Sequence, residues 1–261
     1  MTQIFTELKQ EFYYVIYANF NEDELAAIDL VNFMDFEETP EWLDIQILTE
    51  PEQVSASKGH LLESPLKDNL INETNGDVVT KAINATHAIA ISGSVLNPAN
   101  GLDNYIEVII MLEIILASYN DCVAVFDLKT ETLLERNEWL KQVVSNLSND
   151  IFEIRDHVLT IRSHQEDQSL WLRTSGMIKF GKPDLSLHAI EESDEEDSLE
   201  LINDLAAEII YNNVLPRNNS ELTLDGVPQG LTALHQGSYY DQDFAENVHI
   251  ELEDVLIEEA I

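Results

Sequence analysis

Apolar positions recur along this chain at two different periods, and the change between them marks its elements. Residues 12–17, FYYVIY, form an aromatic and β-branched run suited to a strand, and a helix is expected over residues 22–31. Residues 42–48, WLDIQIL, alternate in part like a half-buried strand. Residues 49–75 are rich in Pro, Ser, Asn, Gly and charge and read as loops around one short edge strand. The middle is more regular: residues 86–92, THAIAIS, and 122–126 read as strands, and residues 103–118 between them as a helix with apolar side chains on nearly every side. Glu107 and Glu113 interrupt that helix and mark its wet edge.

Residues 136–147 place Trp139, Leu140, Val143, Val144 and Leu147 on one stripe, the pattern of an amphipathic helix lying on a sheet. Residues 158–162 and 169–173 follow as antiparallel strands, residues 199–211 as a last helix with Ser198 at its N-cap, and residues 221–224 and 247–256 as closing strands. Helices and strands do not alternate steadily. That order favours an α+β fold, a largely antiparallel sheet with helices packed on it, over a doubly wound parallel one. Residues 1–261 are read as one domain.

Composition adds an imbalance of sign. The 261 residues hold 50 Asp and Glu against 13 Lys and Arg, a net charge of -37, with 44% hydrophobic residues to build a core. No Lys or Arg lies between Lys9 and Lys58 or after Arg217, so the acidity runs along folded-looking sequence and not in a detachable tail. Such a surface repels nucleic-acid phosphates and anionic lipid headgroups and attracts a basic protein. It also keeps a protein soluble, and charge by itself does not separate the two uses.

Two neighbouring stretches concentrate opposite charge. Residues 171–190, WLRTSGMIKFGKPDLSLHAI, gather Arg173, Lys179 and Lys182 around Gly176, Gly181 and Pro183. The glycines allow positive φ, Pro183 stiffens the next step and Phe180 anchors the loop, which is the chemistry of a structural turn. The alternative is a small anion pocket built from backbone N–H groups with Arg173, Lys179 and Lys182. Directly after it, residues 191–198 form an acidic surface loop whose Glu191, Glu192, Asp194, Glu195, Glu196 and Asp197 are the candidate contacts for a basic partner.

The segment WLRTSGMIKFGKPDL resembles the signature of an uncharacterised bacterial domain family, in which an aromatic-rich strand leads to a Thr-x-Gly-hydrophobic-x-x-Phe-Gly-x-Pro-acid turn. The strand with His87, the apolar helix and the strand ending at Phe126 are similar in order, so the resemblance covers about residues 86–224. This chain has Ser175 where relatives tend to have His. The resemblance implies an α+β accessory protein of the immunity or partner-binding kind and carries no catalytic residue.

Other chemistry finds little support in the residues. No H-E-x-x-H, G-x-S-x-G or phosphate-loop pattern occurs, and the one cysteine, Cys122, sits in an apolar run as a small hydrophobe. Residues 241–247, DQDFAEN, offer oxygen ligands but lack the glycine and distal glutamate of a calcium loop. No metal or cofactor is expected. The start lacks a secretory signal and the most apolar window is too short to span a bilayer, so a cytoplasmic setting is expected. The reading is a non-enzymatic acidic protein, an immunity or inhibitor protein against a basic, nuclease-like toxin. The alternatives are a hydrolase or transferase with its pocket near residues 171–183, and a soluble accessory domain with no charge-directed partner.

Overall fold

The computed structural model describes residues 9–28, 40–63, 76–144, 152–165, 169–213, 215–217, 220–222, 231–234 and 249–254. These residues form an α+β fold with two sheets, one of five strands and one of six. The chain divides into two compact units. Residues 11–95 and 103–156 make the five-stranded unit, and residues 1–10, 96–102 and 157–261 the six-stranded unit.

The five-stranded unit is built on β1 (Lys9–Ala18), α1 (Glu22–Ala27), β2 (Leu43–Leu48), α2 (Pro51–Glu63), α3 (Gly76–Asn84), β3 (His87–Leu96), α4 (Gly101–Ser118), β4 (Cys122–Asp127), β5 (Thr132–Glu135) and α5 (Arg136–Trp139). The strand order is β2-β3-β1-β4-β5. β1 lies in the middle and is covered on both faces, which is why its apolar run is continuous and does not alternate. Val15 and Tyr17 pack with Val54 and Leu61 of α2 and Val78 and Ala82 of α3. Tyr14, which points the other way, shares a hydrogen bond with the Tyr105 hydroxyl of α4.

The helix α2 corrects the loop reading of residues 49–75. Val54, Ser57 and Leu61 recur at spacings of three and four on its buried side, and Pro51 occupies its first turn, where a missing N–H costs nothing. The intervening Ser, Lys and Gly disguised that stripe. α1 is shorter than expected. Asn21 and Glu24 cap it reciprocally, at 3.0 and 2.8 Å, and it ends before Ile28. Of the stripe over residues 136–147, residues 136–144 form α5 followed by a π-helical turn, Leu140–Val144, with Trp139 buried, and Leu147 lies outside the described residues.

In α4 the exposed edge carries Asp103, Glu107, Ile110 and Ile114, with Glu113 half-buried beside it. Its last turn has no cation of its own, so Arg136 supplies one, donating to the Leu116 carbonyl at 2.9 and 2.5 Å. Lys58 does the same for α3, reaching the Ile83 and Ala85 carbonyls at 2.7 Å each. No helix among the described residues is long and apolar enough to cross a membrane.

The six-stranded unit contains β6 (Leu159–His164), β7 (Leu170–Ser175), β8 (Asp184–Ile190), α6 (Glu195–Tyr211), β9 (Ser220–Leu222), β10 (Leu231–Leu234) and β11 (His249–Asp254), in the order β6-β7-β8-β11-β10-β9. Its neighbours run antiparallel except β8 and β11, which are parallel. β8 and β10 were not foreseen as strands. α6 packs Ile202, Leu205, Ala206, Ile209 and Ile210 inward, against β7 and β8. It starts four residues earlier than expected: Asp194 holds the N-cap position, and Ser198 lies within the helix.

Gly93 on β3 shows how tightly the five-stranded unit is filled. A Cβ placed there would lie 2.1 Å from the Phe12 ring, which is itself buried and meets Trp42 edge-on at 5.8 Å. Gly93→Ala therefore forces the ring to move and is expected to lower the unfolding free energy by about 1–3 kcal/mol, the usual cost of overpacking. Urea unfolding of the variant against wild type measures it, and an unchanged midpoint would contradict the packing described.

Candidate functional site

The basic stretch folds as a turn in the six-stranded unit, and its residue types follow from that geometry. β7 ends at Ser175, Gly176 takes φ 108°, Met177–Phe180 form one 3-10 turn, and Gly181 takes φ 67°. Both glycines thus occupy the left-handed region that a Cβ penalises. At Gly181 a Cβ would also meet Pro98 at 2.5 Å. Met177 and Phe180 are buried beneath the turn.

Thr174 and Asp184, ten residues apart, close it. The Thr174 hydroxyl donates to Asp184 Oδ1 at 3.0 Å, the Met177 N–H donates to the same oxygen at 3.2 Å, and Thr174 Oγ1 accepts the Leu185 N–H at 2.8 Å. Thr, Gly, Phe, Gly, Pro and Asp at these offsets are therefore the parts of one closed loop.

The three cations proposed as anion ligands lie inside the protein. Lys179 is 0% exposed, and Arg173 and Lys182 are each 8% exposed. Arg173 lies over the Trp171 ring, 5.4 Å from its centroid, and Trp171 stacks on His188 at 4.9 Å. Lys182 donates to Asn213 Oδ1 at 2.7 Å, and burial lowers its pKa. The trio is thus part of a packed interior, not an open cationic surface.

Burial also governs the acids and bases around it. The Asp184 carboxyl is pushed up to about 6 by burial, against the opposing pull of the Met177 and Thr174 hydrogen bonds and the Arg173 and Lys179 charges. His157, also buried, is held well below the usual imidazole range by burial and then by the Lys179 charge. In the five-stranded unit, burial raises Tyr14 and Tyr105 well above the ordinary phenol range, and the Asp127 charge adds to it. Cys122 is pushed up to about 12, chiefly by burial, which keeps it a thiol.

The acidic stretch is divided between two structures. Glu191 precedes a 3-10 turn, Glu192–Asp194, while Glu195, Glu196 and Asp197 form the first turn of α6. The loop expected over residues 191–198 therefore ends at Asp194, because acids at a helix N-terminus are favoured by its dipole and the helix claims them. Glu191, Glu192, Asp194, Glu196 and Asp197 are exposed. Glu195 is not: it is half-buried and paired with Arg162 of β6.

The structure extends the acidic stretch by three acids that the sequence reading passed over, Glu200, Asp204 and Glu208. Glu196, Glu200, Asp204 and Glu208 are all exposed and follow one another at four-residue steps along the outer side of α6. Only the helical register reveals the row, since Glu196 belongs to the acidic run while Glu200, Asp204 and Glu208 are scattered among mostly apolar residues. No Lys or Arg occurs in α6.

Among the described residues, no group of three or more His, Cys, Asp or Glu could hold a metal ion. His60 and His249 lie in described elements but their side chains fall outside the described set, as do residues 166–168 and 241–247 entirely. No family model, curated protein or solved structure matches the chain.

The Asp184 carboxyl predicts a pH signature. An acid whose folded pKa is raised binds its proton better in the native state, so its stabilising effect is present below about pH 4 and is lost as pH rises to about 6. The unfolding free energy of wild type relative to Asp184→Asn should fall by about 2 kcal/mol over that interval. His157, lowered on folding, acts oppositely, withdrawing stability as pH falls below about 6.5, but this cancels in the comparison. Urea titrations of both proteins at several pH values measure the difference, and a constant one would contradict the burial of a titrating Asp184.

Proposed function

We propose that this protein is a non-enzymatic acidic binding protein that engages a basic protein, in the manner of an immunity or inhibitor protein against a nuclease-like toxin, in the cytoplasm. Its signature turn makes it a divergent relative of the uncharacterised bacterial family that it resembles. The observation that carries this reading is the distribution of charge over the two units.

Positive charge is scarce, and much of what exists is committed internally. Arg173, Lys179 and Lys182 are buried. Lys58 and Arg136 serve helix carbonyls. Lys81 pairs with Asp77 and Glu135, and Lys129 with Glu11. Of the described cations only Lys9, Lys141, Arg155, Arg162 and Arg217 are exposed, and Arg162 holds Glu195. None stands on α6, so its row of carboxylates meets solvent with no cation of its own helix beside it.

That row costs the helix something. Like charges four residues apart destabilise a helix by about 0.2–0.5 kcal/mol per pair, and Glu196, Glu200, Asp204 and Glu208 make three successive pairs. A lysine at 200 would serve folding better. An acidic row kept against local stability fits a surface that attracts cations, raising the encounter rate with a basic partner by about 10 to 1000-fold at low salt. Carboxylates spaced along a helix would occupy the groove in which a nuclease holds phosphates.

Glu200→Lys separates this from mere solubility. It should raise the unfolding free energy by about 0.5–1 kcal/mol while slowing association with a basic nuclease-type toxin about threefold or more. The association rate of the unaltered protein should fall steeply between about 20 and 500 mM salt. Stopped-flow mixing and urea unfolding give the two quantities. No association at low salt with any basic toxin encoded beside this chain would defeat the reading.

A further inference from the structure

Gln10 is wholly buried at the start of β1, and its single side-chain nitrogen makes two hydrogen bonds, to the Gly101 carbonyl and to the Lys179 carbonyl, both at 2.7 Å. One carboxamide thus ties residues from all three chain segments of the six-stranded unit, which lie 91 and 169 positions away from it in sequence. Around it the backbones come close. A Cβ at Gly101 would fall 2.0 Å from the Phe180 carbonyl oxygen. Gly181 sits against Pro98 and the Gln10 side chain.

A second polar clasp lies beside the first. Lys182 donates to Asn213 Oδ1 at 2.7 Å, and Asn213 Nδ2 donates to the Ala99 carbonyl at 3.0 Å. Asn213, with φ 50°, stands just beyond the C-terminal end of α6. The same turn therefore joins the start of β1, residues 98–101 and the end of α6, through hydrogen bonds at Gln10 and Asn213 and close packing at Gly101 and Gly181. Losing the Gln10 donor leaves the buried Gly101 and Lys179 carbonyls each with a full desolvation cost until water reaches them, and the same loop carries the more exposed Asn213 clasp. Polar junctions sharing one loop therefore open together or stay shut.

We infer that the Gly176–Pro183 turn is a latch: Gln10 and Asn213 hold it, and it opens as one cooperative unit with residues 98–101 and the C-terminal end of α6, while the rest of the fold stays closed. The inference is independent of any partner. It makes Gln10 and Asn213 positioning residues for the turn and predicts coupling between groups that do not touch. The amides of Lys179, Gly181 and Lys182, bonded to Gly176, Ile178 and Met177, report the turn itself. Those of Asn212 and Asn213, bonded to Glu208 and Ile210, report the end of α6, which Gln10 does not contact through either of these bonds.

Native-state hydrogen exchange on the full chain tests this. Gln10→Ala should speed exchange at all five amides by a common factor of at least about tenfold, leaving the amides of β1 and β4 within about twofold of wild type. Asn213→Ala, which severs the other side, should accelerate the same five. If Gln10→Ala does not fold, Lys182→Met, which keeps the backbone and removes only the clasp to Asn213, takes its place with the same expected pattern. Acceleration of the turn amides alone, with Asn212 and Asn213 unmoved, would overturn the latch, as would a uniform rise across both units.

Discussion

Fifty carboxylates against thirteen cations leave a fold little freedom in where to put positive charge, and this one places much of it inward. Three cations are buried around one turn, and two others satisfy carbonyls at the ends of α3 and α4. Each solves a local problem. A helix C-terminus needs donors or cations, and α4 has no cation in its own last turn. The consequence reaches the surface: a cation used on a carbonyl forms no ion pair with a surface carboxylate, so more of the carboxylates face solvent without a paired cation, within a net charge of -37.

The turn at residues 176–183 is where this inward placement and the chain's most distinctive residues coincide. Thr174 and Asp184 bracket it, the two glycines give it its left-handed corners, and Gln10 fastens it from the far end of the chain. A stretch dense in Arg and Lys would ordinarily suggest a ligand cradle. Burial of Lys179, Lys182 and Arg173 assigns the positive charge to the interior, where Asp184, Asn213 and the Trp171 ring receive it.

Legibility followed the strength of local signals. The strand-helix-strand run through β3, α4 and β4 was readable because its apolar periods are long and uninterrupted. The turn was readable because glycine and proline carry specific backbone demands. α2 was not, since its buried stripe holds a serine between Val54 and Leu61, and β8 was obscured by following a proline within a charged stretch. Gln10 and Asn213 could not be read at all. Their importance comes from partners roughly a hundred or more residues away, and no local pattern marks an amide as a clasp. The acidic row on α6 was half legible: its first turn stood out as a charge run, whereas Glu200, Asp204 and Glu208 emerge only at a period of four.

The claim on which this account rests, that scarce positive charge is held inside, is open to direct chemistry. Brief acylation of the folded protein with an amine-reactive ester, followed by peptide mass spectrometry, reports each lysine separately. The account predicts full modification of Lys9 and Lys141 while Lys179 and Lys182 stay unmodified until denaturant is added. Equal labelling of all four in the folded protein would contradict it.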